Sequence, residues 1–562
     1  MARTEQPTTI NHSIQSNFTS RPSSNLAKDS TQRNDEIKSE FHLREGTYKI
    51  SSLIDNLGKF GTNNCLNESV KMTLLTRVHI QTNAENESVN SEINETSIEQ
   101  TNILVFNLGR ELLIHEFNER RQTNFNEPLD HRIYKQNHQP TCHDIIQDLQ
   151  TNILHVLVGF SKGQIQYINM HTKEQKVFNE GSYLDKSKVT CVKWLQNPRT
   201  HFIVSYSSGC LYVFDEELNY QRDPTIQPVY STIRDPTKNY SIFYTKTKTK
   251  QTRNPIARWI IGNGSVNEFA FSPDQTLLAT VSQDGFLRIF HYEKMELISY
   301  MKSYFGGLLC VCWSPDGKYL ATGGEDDFLT LFSLESDDHT PRVVCRGHGH
   351  TSWLSAIAFE RYFSSSFYRI YSVGQDNRLC LWDITEDILN SKSYVSISSS
   401  LTSNGCSSSL STDQLSSTQS STTKSSLSSL ASRLSFVRNS NKVNKSVDDT
   451  PDLALITLSN GSIKKSRRKS IASKLPTPST DETLTDFSLN NSRRTNIDLT
   501  RTTFGTNLCP KLTDIQIIEP ILTEFIAHER LNGIILSENY FLTSSQDGII
   551  AIWDKPQKNV SQ

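Results

Sequence analysis

The sequence predicts an all-β fold, a ring of seven four-stranded sheets known as a β-propeller, on three observations. The first is an internal repeat. Residues 266–290 (VNEFAFSPDQTLLATVSQDGFLRIF) and 308–332 (LLCVCWSPDGKYLATGGEDDFLTLF) align without a gap at an offset of 42, sharing Ser-Pro-Asp at 272–274 and 314–316 and Leu-Ala-Thr at 278–280 and 320–322. The second is a turn residue that recurs six positions before a strand end, in Asp284/Phe290, Asp326/Phe332, Asp376/Trp382 and Asp547/Trp553. The third is a count. Weaker copies at Ser208/Phe214 and Lys162/Ile168, and a two-strand rhythm at 103–117 turning on Leu108-Gly109-Arg110, bring the units to seven.

The spacing has a physical cause. A tight turn followed by a strand that alternates faces is a β-hairpin, and Gln283-Asp284-Gly285 and Gln546-Asp547-Gly548 are its plainest turn signals. Leu287-Arg288-Ile289-Phe290 then shows the alternation. An offset of 42 lies within the period of WD40 blades. The fullest unit, 349–383, carries His350, Ser372, Asp376 and Trp382, the residue types of the buried hydrogen-bonded tetrad that ties a WD blade's entry loop to its hairpin. His350, Asp376 and Ser372 would also suit a hydrolytic triad. The repeat spacing already accounts for them, and the structural reading is preferred.

Counting strands predicts how the ring closes. The last unit supplies three strands (533–537, 540–544 and 549–553), so its outer strand must come from elsewhere, and Thr47-Tyr48-Lys49-Ile50 is the candidate. The expected organisation is a disordered N-terminal extension at 1–43, blades 1–6 with the closing strand at 44–390, an insertion in the sixth blade at 391–508, and closure with blade 7 at 509–556. Residues 391–430 hold 19 Ser and 5 Thr, and such a sequence cannot bury enough apolar surface to offset its ordering entropy, so disorder is expected there. Ile521-Leu522-Thr523-Glu524-Phe525 is expected to return as the outer strand of the interrupted blade, a loop length that closure entropy tolerates. Within the insertion, Lys464-Lys465-Ser466-Arg467-Arg468-Lys469-Ser470 reads as a solvated basic tract. Nuclear localisation or phosphorylation at Ser470 are its functional alternatives.

Composition narrows the function classes. Of 562 residues, 58 are basic and 60 acidic, so no global field favours nucleic acid or an anionic membrane. No run of about 18 apolar residues is present to span a bilayer, and the N-terminus lacks the apolar core of a secretory signal. Ten scattered cysteines without framework spacing point to a reducing compartment, cytoplasmic and nuclear. No phosphate-binding loop, His-Glu-x-x-His, Cys-x-x-Cys pair or dinucleotide fingerprint occurs, so no cofactor or metal is expected and the chain reads as non-enzymatic. Cys310-x-Cys312 has no further ligand cluster for zinc. His143, beside Cys142, is read as an inter-blade loop residue rather than part of a nucleophilic pair.

What stands out instead is aromatic residues where inner strands begin. Phe305, in Met301-Lys302-Ser303-Tyr304-Phe305-Gly306-Gly307, and Trp353, in Gly349-His350-Thr351-Ser352-Trp353, fall in loops that sit on the top face of a propeller. There a large ring has little blade core to fill. Local loop packing and an exposed anchor for a partner protein are the two readings, and the second is preferred because interface hot spots are enriched in such rings.

At these residues the sequence resembles the WD-repeat protein 20 family, which includes the dystrophia myotonica WD-repeat protein and the fungal catabolite repression protein CreC. Met301 through Trp313, Arg346-Gly347-His348-Gly349-His350, and Gln375-Asp376 with Leu381 through Leu389 carry the resemblance. Weaker matches are Arg44 through Lys49, Gln139 through Asp144, Lys188 through Trp194 and Ile526 through Leu531. The resemblance implies a scaffold that binds and activates a ubiquitin-specific protease of the 12/46 type beside a second WD-repeat activator, the Usp1-associated factor. It also implies that Phe305 and Trp353 are the partner-binding residues. The N-terminal extension, parts of the first blade and the insertion depart from the family. Two rivals are kept. One is a substrate receptor of a cullin-type ubiquitin ligase, which usually shows Trp-Asp-x-Arg where this chain has Trp382-Asp383-Ile384-Thr385 and Trp553-Asp554-Lys555-Pro556. The other is a generic interaction scaffold.

Overall fold

The computed structural model describes residues 36–55, 69–81, 97–117, 127–218, 231–235, 239–245, 253–334, 341–361, 367–390 and 503–556. All of them belong to one compact unit. Their strands form seven sheets. Each sheet runs outward from an inner strand, and the seven inner strands are Met72–Gln81, Pro140–Gln147, Val189–Trp194, Val266–Phe271, Leu308–Trp313, Leu354–Phe359 and Leu531–Leu536. Consecutive inner strands lie side by side, and the first meets the last, which closes the ring. The expectation of a seven-bladed WD40 propeller holds.

A local irregularity in the inner strands ties each blade to the next. In six blades the register shifts after the first inner-strand residue, as between Val266 and Glu268. Such a bulge leaves one residue out of the ladder. In three blades that residue's side chain donates to the first inner-strand carbonyl of the following blade. Thr141 Oγ1 reaches Val189 O at 2.7 Å, Thr190 Oγ1 reaches Val266 O at 2.5 Å, and Asn267 Nδ2 reaches Leu308 O at 2.7 Å. Two carboxylates add the complementary bond, with Trp194 N donating to Asp144 Oδ2 at 2.8 Å and Val311 N to Glu268 Oε2 at 2.9 Å.

The core is divided in the same way. Seven apolar clusters each lie between two adjacent blades, for example Phe269 and Phe290 of blade 4 with Trp259 of blade 3. Second strands such as Leu277–Ser282 and Tyr319–Gly324 are therefore buried along their whole length, since neighbours cover both faces. This is why they read as Leu-Leu-Ala-Thr-Val-Ser rather than as an alternating pattern.

Blade 7 is completed from the N-terminal side. Gly46–Ile54 pairs antiparallel with Ile550–Asp554, with Ile50 opposite Trp553. This is the place expected for residues 47–50. The boundary of the N-terminal extension moves, however. Residues 40–43, expected to be disordered, form the strand Glu40–Leu43, paired with 46–49 through a turn at Gly46, whose φ of 137° a side chain would disfavour. The hairpin is held because Phe41 stacks on Tyr48 at 4.8 Å and leans on Trp553 at 5.6 Å. Buried Arg369 of blade 6 clamps it, bonding both Asp383 and Glu45.

The far boundary of the insertion moves too. Residues 503–508, expected to belong to it, fold against the outer strand of blade 4, Glu296–Lys302, where Lys302 N donates to Leu508 O at 2.9 Å. Leu522–Phe525 forms the outer strand of blade 6, in the place expected for 521–525. Two additions have no sequence signal. Gln516–Ile518 extends blade 5 in parallel with Cys345–Gly347, and the hairpin Ser231–Asp235 with Tyr240–Tyr244 lies outside Ala257–Ile261 in blade 3. The basic run at 464–470 and the Ser-rich tract lie outside the described residues.

Candidate partner-docking face

The tetrad residues converge as their spacing requires. His350 Nδ1 lies 3.0 Å from Asp376 Oδ1, His350 Nε2 lies 2.8 Å from Ser372 Oγ, and Trp382 Nε1 donates to Ser372 Oγ at 2.8 Å. His350 is 1% exposed and Ser372 and Trp382 are fully buried. Ser372 thus holds the Trp382 N–H and faces no cleft, which is the geometry of a structural set rather than of a nucleophile. Burial opposes charge on His350, but Cys380 and Asp376 outweigh it and raise its pKa to about 10. Burial likewise opposes charge on Asp376, yet the His350 hydrogen bond and charge hold it below the ordinary carboxylate range.

Asp376 has a second task. Its Oδ2 accepts the backbone N–H of Thr351 at 2.8 Å, while Gln375 N donates to Trp353 O at 2.9 Å. The entry loop is thereby pinned at both ends. The same pair of bonds recurs in blade 5, where Tyr304 N donates to Asp326 Oδ2 at 3.1 Å and Glu325 N to Gly307 O at 2.9 Å. It recurs in blade 4, with Asn263 N on Asp284 Oδ2 at 3.3 Å and Gln283 N on Ser265 O at 2.8 Å. The turn aspartate that gives the repeat its sequence signature is thus also the anchor of each entry loop. Burial pushes Asp326 up to about 6, against the pull of Arg346.

Only two of these three loops carry a large ring. Between its anchors the blade 4 loop has Gly264 alone, whereas blade 5 has Phe305 and blade 6 ends on Trp353. The blade 5 loop is one residue longer, and Gly306 absorbs the extra residue at φ 63°. A Cβ there would meet Glu325 Cβ at 2.7 Å. Phe305 is 53% exposed and Trp353 is 42% exposed, while Trp259, Trp382 and Trp553 are enclosed. Both rings belong to loops that lead from an outer strand into the next inner strand, so both stand at the same end of the ring. The backbones that carry both rings are pinned at both ends.

The remaining residues singled out in the sequence fall elsewhere. His143, expected in an inter-blade loop, lies inside the inner strand Pro140–Gln147 and is 4% exposed. Its ring bridges blades, 3.0 Å from Thr73 Oγ1 and 3.0 Å from Lys71 O, and burial lowers its pKa to about 4. Cys310 and Cys312 are free thiols, and no group of three His, Cys, Asp or Glu able to hold a metal occurs among the described residues. The polar support around the loops is legible only in the structure. In blade 4, Arg288 pairs with Asp284 at 2.6 Å. In blade 5, Arg346 is 1% exposed, lies 4.9 Å from the Tyr304 ring and donates to Pro510 O at 2.9 Å. Alternation marks Arg288 only as a polar position, and periodicity carries no signal for Arg346.

Comparisons agree with this architecture. The WD domain, G-beta repeat model matches residues 254–291, 296–333 and 340–383, which cover the strands around the anchored loops. The chain is 36% identical over 519 residues to the mouse WD repeat-containing protein 20, covering 81% of this chain and 88% of that protein. It is 29% identical over 569 residues to the WD repeat-containing protein 20 homolog of Caenorhabditis elegans, covering 84% of this chain and 73% of that protein. With the ring closed, the tetrad assembled and likeness running over most of both chains, this protein belongs to the WD repeat-containing protein 20 family.

Proposed function

We propose that this propeller is a non-catalytic scaffold that docks through Phe305 and Trp353 onto a ubiquitin-specific protease of the 12/46 type. It activates that enzyme beside a second WD-repeat activator, the Usp1-associated factor, in the cytoplasm and nucleus. The carrying observation is the pair of exposed rings on loops whose backbones are pinned by Asp326 and Asp376. A rigid anchor loses little conformational freedom on binding, so its apolar area converts efficiently into affinity. Activation requires tighter binding to the protease's active conformation than to its inactive one. Family membership supports the choice of partner. The free thiols of the described cysteines suit a reducing compartment.

The test is binding and stimulation of that protease by the full chain carrying Phe305→Ala and Trp353→Ala together. Loss of at least about 100-fold in affinity is expected from two hot-spot rings. Undiminished binding and stimulation by a folded double variant would refute the reading. A cullin adaptor recovered in place of a protease after affinity purification would favour the ligase-receptor alternative.

A further inference from the structure

The far end of the insertion comes back beside the Phe305 loop. Residues 503–509 close a small turn on themselves, with Thr506 N bonded to Thr503 O at 3.1 Å, Gly505 N to Cys509 O at 2.8 Å and Leu508 N to Thr506 Oγ1 at 3.2 Å. Gly505 sits at φ 80°, a region glycine reaches without strain. This turn is fastened where blades 4 and 5 meet, to the end of the blade 4 outer strand, to the start of the blade 5 entry loop and to the blade 5 outer strand. Leu508 O accepts from Lys302 N, Cys509 Sγ donates to Ser303 O at 3.5 Å, and Pro510 O accepts from Arg346 Nη1.

The fastening leaves one ring outside. Thr503 and Cys509 are buried, but Phe504 is 49% exposed. It lies 5.5 Å from Tyr304, whose other contacts are Phe328 at 5.9 Å and the Arg346 guanidinium at 4.9 Å. Tyr304 is the immediate chain neighbour of Phe305. Contact with Tyr304 covers only part of the Phe504 ring, and a half-exposed ring beside an exposed anchor loop marks a contact surface.

We infer that Phe504 is a third aromatic contact of the docking face, so that the protease touches the returning end of the insertion as well as the entry loops of blades 5 and 6. The inference rests on the docking reading above and extends it. The occupant is the same protease, because the Phe504 ring lies against Tyr304, the residue next to Phe305. One consequence is that the long insertion is tethered at the edge of the interface, where its returning turn is shared between the propeller and its partner.

The experiment measures affinity of the full chain for the protease by calorimetry, with melting temperature as a control. Phe504→Ala is expected to weaken binding by about tenfold while leaving the melting temperature unchanged. Phe504→Leu, which keeps an apolar cover on Tyr304, should recover most of the loss. Wild-type affinity in Phe504→Ala, with binding lost in the Phe305→Ala, Trp353→Ala variant, would overturn this inference and leave the docking reading standing. Wild-type affinity in both variants would overturn the two together. A lowered melting temperature with unchanged affinity would mean that Phe504 only shields Tyr304, and would also overturn it.

Discussion

Asp326 Oδ2 accepts the backbone N–H of Tyr304 at 3.1 Å, and this bond fixes the chain one residue before Phe305. Asp376 does the same for Thr351, two residues before Trp353. A residue type that the sequence displays as turn chemistry is therefore what presents the two rings.

Asp326→Ala should loosen the blade 5 loop without removing its ring. Faster hydrogen exchange at the Tyr304 amide is expected, with a loss of about 1–3 kcal/mol for the Tyr304 and Phe328 backbone donors left unsatisfied. Affinity for the partner should fall although Phe305 is intact. Unchanged exchange at Tyr304 would show that the anchor does not hold the loop.

The tetrad gives a pH signature. Trp382→Phe keeps the ring and deletes the Nε1 donor to Ser372, which should cost about 1 kcal/mol. His350 has its pKa raised to about 10, above the value near 6.5 of an unfolded chain. Its contribution is therefore fully present below pH 6.5 and declines as pH rises through about 10. The stability gap between the wild type and His350→Ala should narrow from pH 7 to pH 10. A gap that stays constant or widens would contradict a charged His350.

His143 behaves in the opposite sense. With its pKa lowered to about 4, it is neutral in the folded ring at pH 5, while the unfolded chain takes up a proton below about 6.5. Unfolding then gains protons, and stability falls as pH drops from 6.5 toward 4, by up to ~3 kcal/mol from this group. Chemical denaturation of His143→Gln should show a shallower slope over that range. Equal slopes in the two proteins would assign the acid sensitivity elsewhere.

Closure by the N-terminal hairpin is testable by truncation. Removing residues 1–55 takes away Tyr48 and Phe41, which are 2% and 3% exposed, and breaks the Ile50–Trp553 pairing. The melting temperature should fall by several degrees, and Tyr48→Ala alone should cost about 3 kcal/mol. An unaltered melting temperature in the truncated protein would mean that the ring is held without its Velcro strand.

The repeat spacing is enough to read the ring, the tetrad and the place of the closing strand. Hairpin turns and face alternation are local, and local geometry repeats with the chain. The two boundaries differ from expectation by a few residues, because Phe41 and Leu508 stand in short stretches with few apolar residues, whose partners, Tyr48 and the Lys302 backbone, become visible only in the folded ring. His143 departs from expectation for a related reason. The strand runs through the Cys142-His143 pair, and the pattern of polar residues alone suggests a loop.

Sequence by itself determined how many sheets the chain builds and which residues turn each hairpin, since those depend on neighbours a few positions apart. Tertiary structure alone decided how the outward rings are held, and added Phe504 to the two that their loop positions had marked. Phe305, Trp353 and Phe504 differ from the enclosed Trp382 and Trp553 in exposure and not in residue type. The bonds of Tyr304 to Asp326 and of Thr351 to Asp376 hold the two entry loops, and the bond of Cys509 to Ser303 holds the returning turn. Each joins segments at least 22 residues apart that meet only in the folded chain.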